Sequence, residues 1–366
     1  MTSTQSTGAE LRDMPAGGSA PNGAPDYPRD GSLPESIGLP RARPIKPSGP
    51  KLGWVGYLLF LIVVAMLHVV SLLPDFVLSR LGMLGALLSL HIDRRHARIG
   101  VANLKIAFPE KSEAERARIL RDSYLNFGRC AAEYIRLAGF FRHRLARVTR
   151  YAPQFEMEKV LAMYRRQGIL VLGAHSGNFE LLPSVHAMLG YQINLVHRTQ
   201  RLLFADKLLT FVRERAGVQV IRKYRAARAV VRALEAGELV GIPFDQNVKR
   251  REAVYVPFFG ELAATSSGLA RLAAMSGAIV LPVFIVREDD KRHHRIEIHG
   301  PVPLQQSANR DADILENTRR FVNAVEDIAR RYPEQFLWTH RRYRTRPQGA
   351  RPIYDWEIQT SRRRKP

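Results

Sequence analysis

The sequence predicts an α/β fold: a mostly parallel sheet flanked by helices, with a membrane-anchoring helix or helical hairpin near the N-terminus. Three observations lead there. From about residue 154 onward, apolar runs alternate with segments of helical periodicity. The apolar runs are short, as strands of a covered parallel sheet are. The stretch 54–73, WVGYLLFLIVVAMLHVVSLL, contains no Asp, Glu, Lys or Arg, and it has about the ~20 residues that cross a bilayer core.

Residues 1–50 are rich in Pro, Gly and Ser and poor in large apolar side chains. Such a composition does not offset the entropy of ordering, so a disordered tail is expected. It lacks the basic start, apolar core and cleavage site of a secretory signal. Pro74-Asp75 then interrupts the apolar stretch, and a second run, 76–92, holds Arg80 as its one formal charge. Arg41, Arg43, Lys46 and Lys51 precede the first run, and Arg94, Arg95 and Arg98 follow the second. Basic flanks prefer the cytoplasmic side. Both flanks lie there if the runs form a re-entrant or in-plane hairpin, or span twice. Arg80 makes a deep second span costly, which favours one anchoring element with the second near the interface. The expected organisation is a tail at 1–50, an apolar anchor at 51–92, a soluble domain at 93–348 and a basic tail at 349–366.

Within the soluble part, Ser112 and Glu115 stand at capping-box spacing, so a helix is expected over 112–136. Strands are expected at 169–174, 192–197, 219–222, 239–244, 278–286 and 295–298. Helices are expected at 156–167, 180–189, 202–216, 226–236, 266–276 and 312–331. In such sheets ligands bind beyond the carboxyl ends of the strands.

Composition narrows the partners. The 366 residues are 46% hydrophobic, enough for one or two domains with a sizeable core. The 56 Lys and Arg against 34 Asp and Glu leave a formal charge of +22, which favours an acidic partner or an anionic membrane surface. Zinc-finger, homeodomain and RNP patterns are missing, so no nucleic-acid partner is expected. Cys130 is the only cysteine, which rules out an intrachain disulfide and CxxC zinc sites. HExxH is missing too, although His175, Glu180, His186 and His197 would suit a metal hydrolase by residue type.

The chemistry concentrates in GAHSGNFE, Gly173–Glu180, which follows the apolar run Ile169-Leu170-Val171-Leu172. His175 stands just past a strand end, and an imidazole titrates near working pH, as a general base must. Glu180, five residues on at the start of a helix, is expected to fix the ring's tautomer and balance the imidazolium. Gly177 and Asn178 allow a tight turn and offer backbone N–H groups to an anion. His197-Arg198 and Asp245-Gln246-Asn247 end neighbouring strands. Arg198 suits a phosphate, a carboxylate or an acyl oxyanion, and Asp245 suits bracing the site.

At these residues the chain resembles the bacterial lipid A biosynthesis acyltransferases, the late lauroyl and myristoyl type. The resemblance covers about 52–348 and rests on ordered blocks: ARIGVANLKIAFPEKSEAER, GAHSGNFE, LVHRTQ, RERAGVQVI, LVGIPFDQN, VYVPFFGELAATSSGLARLAAMSGAIVLPVF and FLWTHRRYRTRP. It implies a glycerol-phosphate-acyltransferase-like fold on the cytoplasmic face of the bacterial inner membrane. It further implies transfer of a fatty acyl chain from acyl carrier protein to a hydroxyl of an anionic glycolipid, a lipid A precursor, without metal or other cofactor. The same chemistry on a lysophospholipid or an amino-acid-based lipid is the alternative. Carried over, the catalytic pair is His175 and Glu180, and Gly177, Asn178, Arg198 and Asp245 are the substrate-binding candidates. The block His197-Arg198-Thr199 departs from the family's Tyr-Arg-Pro.

Overall fold

The computed structural model describes residues 48–152, 168–224, 226–354 and 356; the expected helix at 156–167 and nearly all of the expected N-terminal tail lie outside them. The chain opens with α1 (Trp54–Val70), α2 (Asp75–Ile92), α3 (Arg94–Ala107), α4 (Glu113–Ala138) and the short α5 (His143–Arg147). Ser112 caps α4 through the expected box: Glu115 N–H donates to its hydroxyl at 3.2 Å, and its own N–H donates to the Glu115 carboxylate at 2.8 Å.

Next come β1 (Thr149–Tyr151), β2 (Ile169–Gly173), α6 (Leu181–Met188), β3 (Ile193–His197), α7 (Leu203–Arg215), β4 (Gln219–Arg222), α8 (Ala227–Glu235) and β5 (Leu239–Pro243). The chain continues with β6 (Ala253–Phe258), β7 (Glu261–Ser266), α9 (Gly268–Ser276), β8 (Ile279–Arg287), β9 (His294–Ile298) and α10 (Arg310–Arg331). Among the described residues the main sheet has the order β1-β9-β8-β2-β5-β3-β4. Strands β8, β2, β5, β3 and β4 are parallel, β9 runs against β8, and β1 runs with β9. The mostly parallel sheet is therefore present, with one reversed edge. The reversal follows from the short β8–β9 connection, since only a long crossover returns a chain to parallel.

The sheet is apolar on both faces. Leu170, Leu172, Val240, Val280 and Phe284 point into one core with α3, α8, α9 and α10. Ile169, Val171, Leu195, Leu281 and Val283 point into the other with α5, α6 and α7. Alternate residues of one strand thus serve opposite cores, and this is why the strands read as uninterrupted apolar runs.

Sequence patterning missed the hairpin β6–β7. Phe258 pairs with Glu261, which leaves Phe259 and Gly260 as a two-residue turn with φ of 51° and 80°. Positive φ at both turn residues suits the twist of a tight hairpin. A phenylalanine at the first position hides the signal, and the ring is kept because it packs on Phe108 and Trp338. The expected helix at 266–276 starts at Gly268, because Ser266 belongs to β7. At the other end, Tyr354 is buried beyond the expected domain limit, with its hydroxyl donating to Asn103 at 2.6 Å.

Both apolar N-terminal helices are seated on the domain. Phe60 of α1 is buried against Phe204 and Phe211 of α7, with ring centroids 6.4 and 5.5 Å away. Arg136 of α4 donates to the carbonyls of Ser71 and Leu73 and pairs with Asp75 at 2.6 Å, which ties down the α1–α2 turn. Helix α2 crosses α4 backbone to backbone at Gly82 and Gly128. A Cβ on Gly128 would stand 2.6 Å from the Gly82 carbonyl oxygen and 2.8 Å from Met83 Cα. Gly128→Ala is therefore expected to lower stability by about 1–3 kcal/mol, the usual cost of overpacking. Thermal unfolding of the purified protein checks this; an unchanged midpoint would mean that the helices separate freely.

Candidate active site

Strand register builds the site. Gly173 of β2 pairs with Pro243 of β5 as the last matched pair of two parallel strands. His175 and Asp245 each lie two residues beyond that pair, so they leave the sheet side by side. Asp245 Oδ1 accepts from His175 Nδ1 at 2.8 Å and from the His175 backbone N–H at 3.2 Å. The carboxylate is 1% exposed and the imidazole 17%.

This corrects the expected geometry of Glu180. The carboxylate that holds the His175 ring is Asp245, seventy residues away in sequence. Glu180 turns to Arg213 of α7 and accepts from Nε at 2.9 Å and Nη2 at 2.6 Å. Arg213 Nη1 donates to His197 Nδ1 at 2.8 Å, and His197 Nε2 bonds Asp206 at 2.7 Å. Arg222 completes the row with a bond to Asp206 at 2.6 Å. The turn after β2 accounts for the difference: it points Glu180 at α7, where a buried guanidinium needs a counter-charge.

Electrostatics follow the contacts. Burial disfavours a charged His175, but the Asp245 carboxylate, its hydrogen bond and the nearby Glu180 outweigh this and raise the imidazole pKa above its usual 6.5. Burial likewise works against the Asp245 charge, yet the His175 partner holds its pKa below the ordinary value. Glu180 is held low, against burial, by Arg213. Burial and Arg213 lower the His197 pKa, which leaves a neutral ring that accepts from Arg213 at one nitrogen. With His175 Nδ1 donating to Asp245, Nε2 carries the lone pair. Gln246 Nε2 lies 3.3 Å from it, and the Phe179 ring packs on the imidazole with centroids 4.6 Å apart.

The expected anion-binding N–H groups are used differently. Gly177 N–H donates to the Gln335 carbonyl at 2.9 Å. Its φ is +57°, and a Cβ there would stand 1.8 Å from the Ile285 oxygen, so glycine is required for packing. Asn178 is buried; its amide donates to Glu133 at 2.6 Å and its oxygen accepts from Leu181 N–H at 3.1 Å. Glu133 in turn binds Arg287 and His294. Arg198 is exposed at the end of β3, with its field on Glu252. Among the described residues, no group of three or more His, Cys, Asp or Glu side chains is placed to hold a metal ion.

The C-terminal block braces both loops. Leu337 N–H donates to the His175 carbonyl at 3.1 Å, and Ser176 forms a β-bridge with Phe336. On the other loop, Asn247 N–H donates to His340 Nε2 at 2.9 Å, and the Asn247 amide exchanges two hydrogen bonds with Thr345. Arg342 is buried, donating to the Ala264 carbonyl at 2.9 Å and to Thr265 at 2.6 Å. Sequence reasoning passed over Arg213, His340 and Arg342. A signal for Arg213 exists: Asp206, Thr210 and Arg213 are polar at helical spacing on the buried side of α7.

A strand-end histidine braced by a buried carboxylate fits several folds, and the comparisons decide among them. The profile of the family described as bacterial lipid A biosynthesis acyltransferase matches residues 46–345. The chain belongs to this family. It is an acyltransferase. The chain is 31% identical over 306 residues to the lipid A biosynthesis lauroyltransferase of Escherichia coli (strain K12), covering 83% of this chain and 94% of that one. It is 30% identical over 288 residues to the palmitoleoyltransferase of that organism, covering 77% and 90%. It is 24% identical over 303 residues to the myristoyltransferase, covering 81% and 88%. Within this acyltransferase, the last residues of the family match are those that wrap the His175 and Asp245 loops.

Three outcomes follow from the contacts. Were His175 the general base, it would have to be neutral to act, and kcat/KM would be expected to fall as pH drops through its raised pKa. Asp245→Asn removes the charge that raises this pKa. The acid limb should move to lower pH while kcat falls about 10²–10⁴-fold, because the amide does not hold the tautomer. A pH–rate profile of the variant checks both, and an unmoved limb would detach Asp245 from the base. Separately, Glu180→Ala leaves the Arg213 guanidinium buried without its counter-charge and should cost about 3–5 kcal/mol of stability, read by urea unfolding.

Proposed function

We propose that this acyltransferase moves a fatty acyl chain from acyl carrier protein to a hydroxyl of a lipid A precursor. The carrying observation is the His175–Asp245 contact, which commits Nδ1 and leaves Nε2 with the basic lone pair. His175 takes the proton of the acceptor hydroxyl as its oxygen attacks the thioester carbonyl. The tetrahedral intermediate collapses, the C–S bond breaks, and the proton returns from His175 to the thiolate. Asp245 orients the ring and stabilises the imidazolium. Glu180 adds negative charge near that imidazolium while anchored by Arg213. The names of the relatives, which specify lauroyl, palmitoleoyl and myristoyl groups, support a fatty acyl donor. The excess of basic residues suits an acidic carrier protein and an anionic glycolipid. Arg198, exposed at the same sheet edge, is the candidate contact for an acceptor phosphate.

The reading includes a membrane. Helix α2 is, among the described residues, the helix long and apolar enough to cross one, with a mean hydropathy of 1.4. Trp54, Leu58, Ile62 and Met66 of α1 and Phe76, Leu84 and Leu88 of α2 are exposed, and Leu202, Leu203 and Phe140 are exposed beside them. Because both helices also pack on the domain, the apolar surface acts as one face of the molecule that sits in the cytoplasmic leaflet of the inner membrane.

His175→Ala is expected to lower kcat about 10²–10⁴-fold with an acyl-carrier-protein thioester and a lipid A precursor. Near-normal turnover of the purified variant would sink the assignment. Leu84→Asp with Leu88→Asp should cut binding to anionic liposomes more than ~10-fold, since each leucine contributes about 1.5–3 kcal/mol when buried. Unchanged flotation at high salt would place the membrane contact elsewhere.

A further inference from the structure

Acyl transfer through a tetrahedral intermediate needs a donor for the oxygen that becomes negative. One backbone candidate at the turn is spent, since Gly177 N–H is bonded to the Gln335 carbonyl. Gln246 is differently placed. Its side-chain nitrogen lies 3.3 Å from His175 Nε2, the atom that takes the proton. With Nδ1 committed to Asp245, neutral His175 offers only an acceptor at Nε2, so Gln246 presents its N–H side to the reaction centre. The attacking oxygen must lie within hydrogen-bonding distance of Nε2, and the carbonyl carbon is bonded to that oxygen in the intermediate. A donor about 3 Å from Nε2 therefore reaches the carbonyl oxygen by a small rotation.

The backbone on either side of Gln246 is pinned. Asp245 is held by two hydrogen bonds from His175. Asn247 is held by His340 through its N–H and by Thr345 through its amide. An amide carried between two fixed residues is pre-organised, and such donors stabilise developing charge without reorganisation cost.

We propose that Gln246 is a catalytic residue whose side-chain amide donates to the thioester carbonyl oxygen as it becomes an oxyanion. In the resting enzyme the amide donates to His175 Nε2. As the acceptor hydroxyl enters, it takes that place on Nε2 and the amide turns to the carbonyl. The acceptor O–H bond breaks toward His175, the C–O bond forms, and the carbonyl π pair moves onto the oxygen that Gln246 holds. The pair then returns, the C–S bond breaks, and the thiolate takes the proton from His175. The assignment rests on His175 acting as the base.

The test compares Gln246→Ala, the nearly isosteric Gln246→Glu and His175→Ala in the full chain, with an acyl-carrier-protein thioester and a lipid A precursor. Gln246→Ala is expected to lower kcat about 10²–10³-fold, the range for one lost oxyanion donor. The KM values should stay within about threefold and the unfolding midpoint should not move, since the interaction is made in the transition state. Gln246→Glu replaces the donor by a carboxylate. It should be at least as slow, and its acid limb should move to higher pH because a negative charge then faces Nε2. Should Gln246→Ala unfold, the isosteric variant carries the test. A kcat within threefold of wild type in a folded variant, or a loss confined to KM, overturns the assignment. Inactive His175→Ala beside active Gln246→Ala removes Gln246 alone, whereas active His175→Ala removes the base on which both depend.

Discussion

The hydrogen bond between His175 Nδ1 and Asp245 is the constraint around which the rest of the site is arranged. It decides the tautomer, leaves the lone pair on Nε2, and ties the loop after β2 to the loop after β5. A buried carboxylate is costly to desolvate, so the two groups are stable there only together. The pairing Gly173–Pro243 brings both loops out of the sheet at the same level, and equal two-residue extensions carry the two side chains to one another. A shift of either strand by one residue would also exchange its core faces. The packing of both apolar cores thereby protects the distance between two polar atoms.

Two further charged groups flank this pair and act on the turn between β2 and α6. On one side Glu180, Arg213, His197, Asp206 and Arg222 form a row across α7, β3 and β4. On the other, Glu133 of α4 binds Arg287, His294 and Asn178. Burial opposes the Glu133 charge, but Arg287 and His294 hold its pKa down to about 2. Each row holds one residue of the turn, Glu180 or Asn178. The residues that resemble a short motif in sequence are in fact the termini of networks that cross the domain. Cys130, buried in the second row, has its thiol pushed up to about 12 by burial and donates to the Gly177 carbonyl at 3.4 Å.

Helix α4 joins these networks to the apolar N-terminal helices. It supplies Glu133 to the turn, Arg136 to the α1–α2 connection and Gly128 to the crossing with α2. The exposed apolar side chains of α1 and α2 and the turn that follows His175 are consequently joined through one helix.

The sequence by itself determined the layered α/β fold, because uninterrupted apolar runs between helical segments report burial on both faces. It also determined His175 as the base candidate and the position of the apolar helices, which follow from local order along the chain. Only the tertiary structure decided which carboxylate serves that histidine. Glu180 is near in sequence, but the φ of +57° at Gly177 and the demand of Arg213 turn it away, while strand pairing brings Asp245 from seventy residues on. Arg213 and His340 escaped notice for the same reason: each looks like an ordinary polar residue until packing shows what it faces. The hairpin β6–β7 was hidden by Phe259, whose positive φ is tolerated because its ring fills a gap between Phe108 and Trp338. Periodicity records which side of an element is buried, whereas the partner of a buried charge is set by contacts between segments that lie far apart along the chain.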